Sequence, residues 1–141
     1  MTSHERRGTE AVDGVARSGL LQIGQVAERT GLSLRTIRWY EEEGLVGPTT
    51  RTGGGFRLYS EHDIARLEVI KQMKPLGFSL EEMRQLLTLL DDLDAGGGDR
   101  AALLDRLRMF HEAATARVRA LEEQVHVAEA FAATLVSRLG T

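Results

Sequence analysis

The sequence predicts a mainly α-helical chain: a winged helix-turn-helix followed by a long C-terminal helix that forms an antiparallel coiled-coil dimer. Three observations carry that prediction. Two short amphipathic segments meet at Gly31. A Gly-rich hairpin follows, returning through Phe56-Arg57-Leu58-Tyr59. From Asp99 up to Gly140 nothing interrupts a helix, and apolar residues recur at heptad spacing.

Residues 1–19 mix charge, Gly, Ser and Thr without apolar periodicity, and are expected to form a disordered leader. The winged helix-turn-helix is expected over 20–90. Its first helix runs from Gly24 to Thr30, with Val26 and Ala27 inward and Gly31 as a left-handed stop. Ser33 is a natural N-cap for the second helix. At about 3.6 residues per turn, Leu34, Ile37 and Tyr40 fall on one side of that helix. Arg35, Arg38, Trp39 and Glu42 point the other way. A helix-turn-helix with Arg on its outer face has the geometry that lays a helix in the DNA major groove.

Gly44 ends the second helix. Residues 45–59 then read as two short strands around the Gly53-Gly54-Gly55 turn. Strand alternation puts Phe56 and Leu58 on one face and Arg57 and Tyr59 on the other, and an exposed Arg/Tyr pair suits phosphate contact. No Gly-Lys-Ser/Thr follows the glycines, which argues against a nucleotide-binding loop. Ser60-Glu61-His62-Asp63 caps a third helix with Ile64, Leu67, Ile70 and Met73 inward. Pro75 and Gly77 break it. Ser79-Leu80-Glu81-Glu82 is a capping box opening a fourth helix, buried through Met83, Leu86, Leu87 and Leu90.

Residues 91–99 are expected to be a flexible acidic, Gly-rich linker. A calcium loop counted from Asp92 would need Glu at its twelfth position, where Leu103 stands. The dimerisation helix is expected over 100–141. Leu104, His111, Val118, Val125, Ala132 and Leu139 recur every seven residues. Leu107, Ala114, Leu121, Ala128 and Leu135 recur three positions after them, giving a seam about 54 Å long. A lone helix of that length has nothing to bury the seam against, so self-association is expected. With two antiparallel copies centred near residues 118–121, Val118 faces the partner's Leu121 and Phe110 lies near the partner's Phe131. Arg108 then lies near the partner's Glu129, an attractive flanking pair.

Composition narrows the function. The chain has 141 residues, of which 42% are hydrophobic and 5% aromatic. No apolar stretch reaches the roughly 18 residues that span a bilayer, and no apolar segment follows the charged N-terminus as a secretion signal requires. A cytoplasmic chain without membrane contact is expected. The absence of cysteine excludes disulfides, thiolate metal sites and thiol redox sensing. His4, His62, His111 and His126 lack ligand spacing on one helix face, so no metal and no cofactor are expected. The net charge of −3 does not oppose DNA binding, because phosphate attraction depends on which face carries the cations. Residues 20–75 hold eight Lys/Arg against seven Asp/Glu. No nucleophile–base constellation is present, so an enzyme is not expected.

With these residues laid out, positions 21–90 resemble the DNA-binding domain of the MerR (mercury-resistance-regulator) family of bacterial transcription factors. The resemblance rests on Leu21-Gln22-Ile23-Gly24-Gln25-Val26-Ala27, Thr30-Gly31-Leu32-Ser33, Thr36-Ile37-Arg38-Trp39-Tyr40-Glu41, Gly44-Leu45, Phe56-Arg57-Leu58-Tyr59 and Leu76-Gly77-Phe78-Ser79-Leu80-Glu81-Glu82. It implies a homodimer on double-stranded, pseudo-palindromic promoter DNA. The second helix enters the major groove, while the wing and the region of helices three and four grip the backbone. Bending and untwisting an over-long promoter spacer then lets RNA polymerase engage both promoter elements, so the polymerase is reached through the DNA.

Carried over by position, Arg38, Tyr40, Arg57 and Tyr59 match phosphate-holding residues. Ser33, Arg35 and Thr36 lie where base-edge and phosphate contacts concentrate. Tyr40 also projects to the edge of the core face, so burial is its alternative role. Trp39 is expected to pack against sugar-phosphate. Glu42 has two readings, an acceptor for a cytosine amino group or a solvated carboxylate. Two departures stand out. The cysteines of metal- and redox-sensing branches are missing, and no appended ligand domain like that of multidrug-sensing branches is expected. Pro75 also interrupts a segment that the family usually writes as continuous helix. Two functional readings follow, a ligand- or partner-responsive regulator and an effector-independent repressor or architectural protein. Met109, Phe110, His111 and Phe131 are the apolar candidates for an effector site, with seam packing as their simpler role.

Overall fold

The computed structural model describes residues 19–51, 53 and 55–140. Apart from Gly19, the expected leader lies outside them. The chain divides into two compact units, one reaching to Pro75 and one starting at Leu76.

The first unit opens with β1 (Leu21–Gln22), which runs directly into α1 (Ile23–Thr30). Gly31, with φ 74°, ends α1 in the left-handed conformation, and its N–H donates to Ala27 O at 2.8 Å. Two residues later Ser33 caps α2 (Leu34–Glu42) by accepting from the Thr36 N–H at 3.1 Å. The turn is closed from the inside as well. The buried Thr30 hydroxyl donates to Val26 O and accepts from the Leu32 N–H. Lys71 Nζ reaches the Thr30 carbonyl at 2.6 Å, placing a cation at the negative end of α1.

The wing is β2 (Thr50–Arg51) and β3 (Arg57–Tyr59), antiparallel with Thr50 opposite Leu58 and Arg51 opposite Arg57. The sheet has a third strand that the sequence reading lacked. β1 pairs with the other edge of β3, Leu21 opposite Tyr59, giving the order β1-β3-β2. A two-residue strand is too short to show an alternation. β3 is therefore a central strand that also packs against α1 and α3 (Glu61–Met73), and both Leu58 and Tyr59 are buried. The core is Val26, Ile37, Tyr40, Leu45, Leu58, Tyr59, Ile64, Leu67 and Ile70. Burying each large side chain contributes roughly 1.5–3 kcal/mol. Leu34, expected inward, is exposed at the first position of α2, beyond the edge of that core. A 3-10 turn over Lys74–Leu76 replaces further α-helix at Pro75.

One carboxylate pins the root of the wing. Asp63 is buried, and it accepts from the Ser60 N–H at 2.9 Å, the Thr49 hydroxyl at 2.7 Å and the Gly47 N–H at 3.0 Å. Burial by itself would raise this carboxyl. The donors from Ser60, Thr49 and Gly47 outweigh burial and hold it below the usual aspartate value. Gly47 has no room for a side chain there, since a Cβ would sit 2.6 Å from Thr49 N and 2.8 Å from the Asp63 carboxylate.

In the second unit Ser79 and Glu82 form the expected capping box at the start of α4 (Leu80–Ala95), at 3.1 and 2.8 Å. α4 extends beyond the expected linker boundary. Residues 91–95 continue the helix, because Leu89 and Leu93 prolong its apolar stripe and packing outweighs the low helix propensity of Asp. Only residues 96–99 lie between α4 and α5 (Arg100–Leu139), a 40-residue helix that Asp99 caps. α4 packs against the first part of α5. The Arg117 guanidinium lies 3.6 Å from the centre of the Phe78 ring, with Nη2 3.6 Å from Glu82. From Val118 to Gly140 every residue of the chain is exposed.

The wing-root carboxylate yields a signed pH dependence. Its native pKa is depressed, so its stabilisation is complete above the unfolded value of about 4 and is lost as pH falls through the native value. Asp63→Asn is expected to cost about 1–3 kcal/mol near neutrality. Urea unfolding of both proteins between acid and neutral pH should show that gap closing in acid; a pH-independent gap would contradict the assignment.

Candidate nucleic-acid interface

The outward face of α2 is the one the helical projection selected. Arg35, Arg38, Trp39 and Glu42 are all exposed, and Trp39 retains 42% of its surface. With Thr36 and Lys74 they line an open depression of about 660 Å³. Three cations face one carboxylate there, so this patch is positive although the whole chain carries −3. Among the described residues, Arg35 and Arg38 have no ion-pair or hydrogen-bond partner. Ser33 and Thr36 stand at the N-terminal turn, where the Ser33 hydroxyl donates to Thr36 Oγ1 at 2.9 Å.

The wing residues are arranged differently from the strand alternation. Tyr59, expected outward beside Arg57, is fully buried, and Phe56, expected inward, keeps 67% of its surface. Helices α1 and α3 pack against β3 and the Tyr59 hydroxyl reaches Glu41 of α2, so Tyr59 is covered, whereas Phe56 lies before β3 begins. Arg57 is half-buried, and its Nε donates to Glu41 Oε1 at 2.8 Å. The Tyr59 hydroxyl donates to the other oxygen, Glu41 Oε2. Burial first, and then the bond to Glu41, raise the Tyr59 phenol far above its ordinary value. The bond to Glu41 likewise raises the Arg57 guanidinium. Only Nε of Arg57 is used, so the four Nη protons lie outside this contact.

Tyr40 is buried at 2% exposure, the alternative the sequence had left open. Its ring centre lies 5.1 Å from that of Trp39 with the planes 54° apart, so the core residue forms the base on which the exposed indole rests. Sequence reasoning missed Glu41 and Lys74. Glu41 sits beside Glu42 and Glu43 and looked like one of a run of solvated acids; with Glu61 and Asp63 closer to Arg57 along the chain, no local signal singled it out.

A helix-turn-helix with a cationic outer face and a wing tied to its second helix defines a DNA-binding protein. Comparison with known proteins narrows the class. The family model described as MerR HTH family regulatory protein matches residues 21–90, and the one described as MerR, DNA binding matches residues 64–137. The transcriptional regulator HmrR of Rhizobium leguminosarum bv. viciae is 40% identical over 111 residues, covering 75% of this chain and 84% of that protein. YfmP of Bacillus subtilis is 36% identical over 118 residues, covering 79% and 84%. HiNmlR, a MerR family regulator lacking the sensor domain and solved bound to promoter DNA, shares the fold with a TM-score of 0.60 at 24% identity, covering 75% of each chain. The chain belongs to the MerR family and is a MerR-type DNA-binding transcriptional regulator. No helix among the described residues is long and apolar enough to cross a membrane.

The shared Glu41 carboxylate gives a test that needs no DNA. Tyr59→Phe removes one donor from a largely buried carboxylate, so thermal unfolding followed by circular dichroism should show a loss of about 1–3 kcal/mol. Unchanged stability would mean that the phenol does not hold Glu41.

Proposed function

We propose that the chain works as a homodimer on a pseudo-palindromic promoter, each copy placing α2 in the major groove and its wing on the backbone. The observation that carries this reading is the outer face of α2, where Arg35 and Arg38 are exposed and unpaired among the described residues. Arginine forks of this kind match guanine edges and phosphates. Arg35 is the second residue of α2, so with Ser33 and Thr36 it takes the base-reading role at the start of the helix. Arg38, Trp39 and Arg57 take phosphate and sugar contacts, which fix position and not sequence. Tyr40 and Tyr59 serve from beneath, the first supporting Trp39 and the second holding the Glu41 that orients Arg57.

The dimer reading rests on α5. Val118, Leu121, Val125 and Leu135 lie on the heptad seam with 45, 43, 55 and 48% of their surface exposed. A contiguous apolar stripe of that kind marks an association surface. Antiparallel pairing centred between Val118 and Leu121 covers it along its whole length. Two reading heads then bend and untwist the promoter spacer, a deformation of roughly 1–6 kcal/mol supplied by backbone contacts, and RNA polymerase responds to the altered DNA. The protein works in the cytoplasm, where that DNA is.

Two measurements test this. In operator binding across a salt series, Arg38→Ala and Arg57→Ala should weaken binding to all sequences and flatten the salt dependence by about one phosphate's worth each. Arg35→Ala should instead change sequence preference by about 1–3 kcal/mol at one position; unchanged affinity in all three variants would remove the interface. For the dimer, mixing Val118→Cys with Leu121→Cys under oxidising conditions should give a disulfide between the two variants. Each variant linking only to itself would indicate parallel pairing.

A further inference from the structure

The second unit contains a groove that the described residues leave open. Phe78, Glu82 and Gln85 form one wall, and Arg106, Met109, Phe110 and Ala113 of α5 form the other. Its volume is about 260 Å³. A cavity of roughly 150 Å³ already accepts a benzene ring, so there is room for a phenyl group. Further along α5 is an aromatic side chain with no place to go: Phe131 keeps 63% of its surface, in a stretch where every residue is exposed. Phe131 cannot fill the groove of its own chain, since the rise of an α-helix puts it about 32 Å from Phe110.

The heptad register brings the two together from different copies. Phe110 and Phe131 both occupy the position just before a seam residue, His111 and Ala132. In antiparallel pairing such positions face each other, so the partner's Phe131 arrives beside Phe110. The side of α5 that carries Phe110 is also the side that α4 covers, through Arg106, Ala113 and Arg117. The partner's Phe131 is therefore delivered to the mouth of the groove and not merely to the seam. The opposite flank of the same layers pairs Arg108 with Glu129 of the partner subunit, which favours this register electrostatically.

We propose that the groove between α4 and α5 is a socket for Phe131 of a second copy of this chain. The inference rests on the antiparallel pairing proposed above and adds a contact outside the coiled coil. Each protomer locks its partner at α4, so the dimer interface includes the helix that leads into α5.

The test uses the absence of native cysteine. Full-length Gln85→Cys and Phe131→Cys, both at exposed positions, are mixed and treated with a short bis-maleimide. A cross-linked heterodimer is expected. It should be absent when Val136→Cys, on the other flank of the helix, replaces Phe131→Cys. A Val118→Cys/Leu121→Cys link without the Gln85→Cys/Phe131→Cys link would overturn the socket, leave the antiparallel dimer standing, and open the groove to a small apolar ligand. Absence of both links would overturn both. As an independent readout, Phe131→Ala should raise the dimer dissociation constant at least about tenfold in sedimentation equilibrium; an unchanged constant would also overturn the socket.

Discussion

The first unit is organised around one carboxylate. Glu41 stands on α2, yet its two oxygens are taken by Arg57 and Tyr59 of β3. Through it the recognition helix and the wing become one body. A largely buried carboxylate with a guanidinium and a phenol as donors is charge-assisted on one side and strongly desolvated on the other, so each contact raises the cost of losing the other. The wing arginine is thereby placed in register with the helix whose outer face carries Arg35 and Arg38. A floppy wing would lose ordering entropy at the moment of binding; a tied one has lost it during folding.

The wing is fixed at both ends by the same device. Asp63 gathers Gly47, Thr49 and Ser60 at the root, where the chain leaves the core. Glu41 gathers the return strand. In both cases an acid in the interior accepts several hydrogen bonds, and neither contributes negative charge to the outer face of α2. This explains how a chain of net charge −3 presents a cationic patch. Of the acids near α2, only Glu42 shares that outer face among the described residues, against Arg35, Arg38 and Lys74.

How much of this was legible beforehand follows from the range of each signal. The helix-turn-helix was readable because Gly31, Ser33 and the spacing of Ile37 and Tyr40 act within one or two turns. The capping boxes at Ser60 and Ser79 were local in the same way. The outward placement of Arg35, Arg38 and Trp39 needed only the helical period. What failed needed a partner far along the chain. β1 is two residues long, and its pairing with β3 spans more than thirty positions, so nothing local announced a central strand. The helices packed on β3 bury Tyr59, and Phe56 falls just outside the strand, so neither follows the expected alternation. Glu41 was hidden for the same reason, since its meaning comes from Arg57 sixteen residues later. The linker boundary failed differently: Asp91, Asp92 and Asp94 signal a helix end by propensity, whereas Leu93 continues the apolar stripe.

The unpaired arginines of α2 also govern how the free protein responds to its solution. Arg35, Arg38 and Lys74 stand within one depression, where Glu42 is the one carboxylate among the described lining residues. In the free protein they repel, and ions that screen them favour the folded state. Under the proposed contact with DNA the same cations face phosphates, and those ions compete with the phosphates. Ionic strength therefore acts with opposite signs on the two states: it relaxes the unbound head and loosens the bound one. In the proposed complex, part of the stability withheld from the free fold is returned when a duplex lies against α2.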